Sequence, residues 1–123
     1  MIVLDASALV EQLLDTSKGL QLQQRCLGQT ETIHSPHLVD LEVAQVLRRY
    51  CQQGLLSTIR APQAMEDLMA SGMPMNPFFL VSGNCAKISL PIVALAELLD
   101  TPLVTCDTRL ATAPGHSAIV EVF

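Results

Sequence analysis

No apolar run in the sequence reaches the ~18 residues that a membrane-spanning helix needs, although half of the residues are hydrophobic. The chain runs directly into MIVLD, without the basic region and cleavage site of a secretory signal. These two absences exclude membrane-spanning and exported classes, so a soluble, cytoplasmic chain with no membrane partner is expected. Cys26, Cys51, Cys85 and Cys106 are scattered and form no C-x-x-C pair, which excludes a zinc site and a small disulfide framework. Free, mostly buried thiols are expected. Gly-rich phosphate loops, a G-x-S-x-G elbow and a Ser/His/Asp arrangement are missing. His34, His37 and His116 share no metal-binding spacing and are expected on the surface or in loops. Positive charge is scarce as well. Seven Lys and Arg face twelve Asp and Glu, a net charge of -5 that argues against broad electrostatic binding of nucleic acid. Any nucleic-acid role must then be local.

The 123 residues suit one domain, spanning 1–123, with a single sizeable core. Hydrophobic periodicity divides the chain into alternating strands and helices. IVL at 2–4 is a short, fully apolar strand ending at Asp5, and Ser7 is placed to cap a helix over ALVEQLL. A second helix is predicted over Ser17 to Leu27, closed by Gly28, followed by a strand ETIHSP that stops at Pro36. HLVDLEVAQVLRRYCQQG carries the clearest helical pattern, and STIRAPQAMEDLMA opens another helix with Ser57 as its cap. PLVT at 102–105 and AIVEV at 118–122 complete the strands. Strands separated by helices predict an α/β fold with a mainly parallel sheet covered on both faces.

Carboxylates at the ends of these elements are the candidates for chemistry. Ligands of open parallel sheets gather beyond the carboxyl ends of strands, where Asp5, after IVL, and Asp107, after PLVTC, both fall. The plainer reading is that each Asp only starts a loop or caps a helix. Glu42 adds weight, because on a helical wheel it lies among Leu38, Val39 and Val46, inside the apolar stripe. A carboxylate there needs a partner. That partner is either a divalent cation, Mg²⁺ or Mn²⁺, shared with the two Asp residues, or Arg48 or Arg49 at the edge of the stripe. Asp40 projects away from Glu42 and is secondary.

Three blocks, MIVLDASALVEQLL, HSPHLVDLEVAQVLRRYCQQGLLS and VALAELLDTPLVTCDTRLATAPGH, resemble the PIN-domain ribonuclease toxins of the VapC type. The resemblance covers nearly the whole chain outside Ser71 to Ile92. It implies a PIN-like α/β/α sandwich, an Mg²⁺-dependent endoribonuclease acting on RNA, dimerisation, and inhibition by a cognate VapB antitoxin. Carried over residue by residue, Asp5 matches the first acid, Glu42 the second, and Asp107 of TCD the last. Thr105 and Ser7 match the nearby hydroxyl positions.

One acid of the pattern is missing. The family carries a segment resembling LLPRIWxLRxNLTAYDALYVALAE, whose Asp is a principal metal ligand. VALAE survives here at Val93 to Glu97, but Ser89 stands where the Asp belongs. The stretch from Ser71 to Ile92 contains no Asp or Glu, and its one charge is Lys87. The genetic code offers a cause. If the coding bases are read two positions later, Lys87 to Ile92 permits N-L-T-A-Y, and the whole stretch permits RHAHEPLLPRIWKLRKNLTAY, the family segment nearly letter for letter. The next shifted codon, from Ile92 to Val93, has G in its middle and cannot encode Asp. We therefore read Ser71 to Ile92 as an aberrant, out-of-frame segment between two compensating frame changes. Pro91 would then fall inside what should be a helix. The competing origin is a diverged paralogue reshaped in frame.

Two functional classes follow. One is a metal-dependent ribonuclease using Asp5, Glu42 and Asp107, impaired by the lost acid. The other is a non-catalytic remnant that binds only an antitoxin or a partner subunit.

Overall fold

The computed structural model describes residues 1–27, 32–73, 75–76 and 91–123. The first strand, β1 (Ile2–Leu4), is three apolar residues long and buried along its whole length. Successive side chains of a strand point to opposite faces, so such a strand needs apolar cover on both sides. Ile2 and Leu4 pack against Leu9 and Val10 of α1 (Ala6–Leu13) and Leu22 of α2 (Ser17–Leu27). The same cluster takes in Val39, Val43 and Leu47 of α3 (Val39–Gln52), with Ala64 and Leu68 of α4 (Arg60–Ala70). Val3 faces the other way, into a second cluster with Ile92, Val93, Leu95 and Ala96 of α5 (Pro91–Leu99). Leu103 of β4 (Leu103–Thr105) and Leu110 of α6 (Thr108–Ala111) complete it. The result is the α/β/α sandwich that the alternation of elements predicts.

With β2 (Ile33–Pro36), β3 (Met75–Asn76) and β5 (Val120–Val122), the sheet has the order β3-β2-β1-β4-β5. Every pair is parallel, with Val3 opposite both His34 and Leu103. From β1 the chain adds β2 and β3 on one side, then crosses to β4 and β5 on the other. The winding direction therefore reverses between β1 and β4. In open parallel sheets such a reversal leaves a crevice beyond the strand ends, where ligands bind.

Several local expectations shift on contact with the structure. Asp5, not Ser7, caps α1: its backbone is extended, and its carboxylate accepts from the Ser7 N–H. Ser7 sits inside the first turn instead. The helix predicted from His37 begins at Val39. Ile59, not Ser57, stands at the N-cap of α4, which begins at Arg60; Ser57 Oγ accepts from the Arg60 N–H at 3.1 Å in the turn before it. Pro91 is the first described residue of α5, and the residues before it lie outside the described ones. Gly28, Cys85, Lys87, Ser89 and most of the Ser71 to Ile92 segment lie outside the described residues. His116 lies in the loop before β5, as expected of a loop histidine, but both its ring nitrogens are buried without a hydrogen-bond partner among the described residues. No disulfide forms among the described cysteines.

Candidate active site at the switch point

The register between β1 and β4 builds the site. Leu4 lies opposite Val104, and the Asp5 N–H continues the ladder by donating to Val104 O at 3.0 Å. This brings Asp5 level with Thr105, the buried last residue of β4. Thr105 Oγ1 donates to Asp5 Oδ2 at 2.9 Å, and Ser7 Oγ donates to the same oxygen at 2.6 Å. Each hydroxyl has one proton and has given it to Asp5, so the 3.1 Å approach of Ser7 Oγ to Thr105 Oγ1 is a contact between acceptors. Their remaining acceptor capacity is used by the backbone: Cys106 N–H donates to Ser7 Oγ and Asp107 N–H to Thr105 Oγ1, each at 3.0 Å. Both hydroxyls singled out in the sequence thus hold the ends of β1 and β4 together. Asp5 Oδ2 is fully occupied by this network. Oδ1 receives no hydrogen bond among the described residues.

Glu42 stands in the first turn of α3, at the edge of the apolar stripe rather than inside it. Val39, Val43 and Leu47, at positions i, i+4 and i+8, form the buried stripe, while Leu38 and Glu42 are exposed beside it. Neither Arg48 nor Arg49 pairs with Glu42 among the described residues. Partial desolvation by the surrounding protein raises its pKa, and the negative charge of Asp5 raises it further. The two carboxylates are therefore close enough to repel one another.

Asp107 caps α6, so the plainer reading of both Asp residues is also true: each starts a helix. Its Oδ1 accepts from the Arg109 N–H at 2.9 Å. The Arg109 guanidinium lies over the carboxylate, with Nε 3.3 Å from Oδ1 and Nη2 3.4 Å from Oδ2. These bonds and the positive charge lower the Asp107 pKa. Asp40 turns back on its own backbone, accepting from the Leu41 N–H at 2.8 Å.

Asp5, Glu42 and Asp107 line one open cavity of about 390 Å³, together with Ile92, Leu110 and Ala113 and with Arg109 at its wall. Among the described residues no three His, Cys, Asp or Glu side chains converge tightly enough to hold a metal ion together. The donors still fit a hard divalent cation by type. Carboxylate oxygens are its preferred ligands, Asp5 Oδ1 is open, and a cation would relieve the Asp5 to Glu42 repulsion. Sequence reading missed Arg109, although its place two residues after Asp107, in the first turn of the capped helix, was the available signal.

No family model matches the chain. Among curated proteins it is similar to ribonuclease VapC12 of Mycobacterium tuberculosis, 36% identical over 129 residues that cover 99% of this chain and 98% of that protein. Ribonuclease VapC9 of the same organism is 38% identical over 118 residues, covering 90% of this chain and 89% of its own length. Ribonuclease VapC1 is 34% identical over 122 residues, covering 92% and 90%.

Proposed function

Because the chain belongs to the VapC family of ribonucleases, we propose that it is the toxin half of a type II toxin–antitoxin module, an endoribonuclease dependent on Mg²⁺, with Mn²⁺ as a substitute. The observation that carries this reading is the meeting of Asp5, Glu42 and Asp107 on one cavity at the reversal point of a parallel sheet. Asp5 with Asp107 would hold the cation, Glu42 contributing directly or through one of the waters that Mg²⁺ retains, and the cation would supply charge to activate a water and to stabilise the phosphodiester under attack. Thr105 and Ser7 position Asp5 by saturating Oδ2, which leaves Oδ1 free of hydrogen bonds among the described residues and available to a cation. The whole chain, 1–123, is read as one PIN-like domain.

The proposed partners are RNA, a VapB-type antitoxin and a second copy of the chain. An apolar groove between α3 and α4, lined by Leu47, Pro62 and Met65, suits the apolar side chains of a protein partner. We place the protein in the cytoplasm. Among the described residues no helix is long and apolar enough to cross a membrane.

Activity is reduced in this reading. Ser89 occupies the position of the family's fourth acid, and the site retains three. The alignment to VapC12 is longer than this chain, 129 against 123, so that relative carries residues with no counterpart here. The looseness of the three acids favours the second reading, a remnant that binds partners without cleaving RNA. Incubating RNA with the purified protein in Mg²⁺, Mn²⁺ or EDTA, beside Asp5→Ala, separates the two. Metal-dependent cleavage that Asp5→Ala abolishes supports the ribonuclease. Cleavage unaffected by EDTA and by Asp5→Ala would sink the metal-dependent reading.

A further inference from the structure

The cavity poses an electrostatic problem for its proposed substrate. Three carboxylates line it, and the chain as a whole carries a net charge of -5, so an RNA phosphate entering it is repelled unless a cation in the site receives it. Among the described residues lining the cavity, Arg109 is the one cation. Its side chain is 88% exposed, against 38% for Asp107, so the guanidinium already faces solvent at the cavity. Arg48 and Arg49 are exposed on α3 but do not line this cavity, and three further cations are engaged elsewhere. Arg60 is tied to Asp67 and to Leu13 O, Lys18 donates to Phe123 O, and Arg25 forks onto Glu121.

The bond between Arg109 and Asp107 is loose. Its contacts of 3.3 and 3.4 Å exceed the 2.7–2.9 Å of strong charge-assisted bonds. Asp107 does not depend on the guanidinium for its position, because its Oδ1 is held separately by the Arg109 backbone N–H at 2.9 Å. If the guanidinium swings away, the helix cap stays in place and Oδ2 opens toward the cavity.

We propose that Arg109 is the phosphate-receiving residue of this site: its guanidinium exchanges Asp107 for the non-bridging oxygens of an RNA phosphate, and so frees Asp107 Oδ2 for the cation. This rests on the ribonuclease reading above. A planar fork of donors fits two phosphate oxygens, which a lysine's single ammonium does not reproduce. The exchange also makes two bindings depend on one side chain with opposite signs. Holding Asp107, Arg109 competes with the metal. Released, it attracts the substrate.

The test measures both bindings on the intact protein, with thermal melts confirming that each variant folds. A fluorescein-labelled single-stranded RNA is titrated by anisotropy in Ca²⁺ over a series of KCl concentrations, and Mg²⁺ is titrated by calorimetry without RNA. Arg109→Gln is expected to weaken RNA binding roughly tenfold, the scale of a lost charge-assisted bond. It should also reduce the salt slope by about 0.7, the value for one phosphate contact on a single strand. The same variant should bind Mg²⁺ more tightly than wild type. Arg109→Lys is expected to keep the salt slope but lose part of the affinity. RNA affinity and salt slope unchanged in Arg109→Gln, with wild type binding RNA, overturn the role of Arg109 and leave the ribonuclease reading intact. Wild type that binds neither RNA nor Mg²⁺ overturns both. An equal loss of RNA and Mg²⁺ binding in Arg109→Gln assigns the residue a structural role and refutes the exchange.

Discussion

Thr105 and Asp5, 100 positions apart in sequence, are joined by a 2.9 Å hydrogen bond from the threonine hydroxyl to Oδ2. Because Thr105 is buried and its oxygen also accepts from the Asp107 N–H, one side chain fixes the distance between two of the three carboxylates. Removing that hydroxyl without changing volume isolates its contribution. Thr105→Val should cost about 1–3 kcal/mol in urea unfolding, because a buried N–H and a carboxylate each lose a partner. Thr105→Ser keeps both bonds and should recover most of the loss. Equal stability of the valine and serine variants would show that the hydroxyl is not what matters.

Glu42 gives the fold a pH signature in the absence of metal. Its pKa is raised in the folded state, by desolvation first and by Asp5 second, so the folded protein binds this proton more tightly than the unfolded chain does. The stabilising contribution is therefore complete below the unfolded value near 4.5 and is lost as pH rises through the higher folded value. In EDTA at neutral pH, Glu42→Gln should be more stable than wild type, and the difference should close in acid below about 4.5. Mg²⁺ should reverse the order by stabilising wild type more. Melting curves over pH, with and without Mg²⁺, read both effects. A variant less stable than wild type in EDTA at neutral pH contradicts the argument.

The placement of the cation rests on Asp5, whose Oδ1 is left open by the hydroxyl network. Asp5→Asn removes the charge while preserving shape and should weaken Mg²⁺ binding at least tenfold, the scale of one lost charge-assisted contact. Calorimetry that finds the same Mg²⁺ affinity in both proteins moves the metal elsewhere.

Gly19 marks where α1 and α2 touch. A Cβ at this position would lie 2.1 Å from Glu11 O and 2.6 Å from Glu11 C, both backbone atoms that cannot step aside alone. Gly19→Ala should destabilise by about 1–3 kcal/mol or more, against the small gain alanine brings to an unhindered helix. A neutral or stabilised variant would show that the two helices can separate freely.

Activity should be weak or absent in the chain as it stands and return when Ser71 to Ile92 is replaced by the segment read in the other frame, with its Asp. Two losses act on the same step: one carboxylate fewer for the cation, and five basic letters reduced to Lys87 alone. Ser89→Asp by itself should recover little, since the surrounding helix sequence is altered too. The nucleotide sequence decides the origin directly, because two compensating frame changes leave a readable trace and divergence in frame does not. Strong Mg²⁺-dependent cleavage by the unmodified chain would show that three acids suffice.

Much of this was legible in the amino-acid order alone. A fully apolar IVL followed by Asp, and LVTC followed by Asp, mark buried parallel strands with acids at their ends, because a strand covered on both faces cannot alternate. Val39, Val43 and Leu47 announce α3 by their spacing, since the period of 3.6 is a property of the local chain. Tertiary structure decided the rest. No local period tells that β1 lies between β2 and β4, or that Leu4 pairs with Val104, and it is this register that turns Ser7 from the expected helix cap into a tie between strands. Glu42 fell at the edge of its stripe because a helical wheel places a residue within tens of degrees, while exposure depends on which neighbour packs there. Arg109 reached the site only because β4 delivers α6 to the mouth of the crevice, a consequence of strand order that pairing between distant segments sets and sequence spacing does not record.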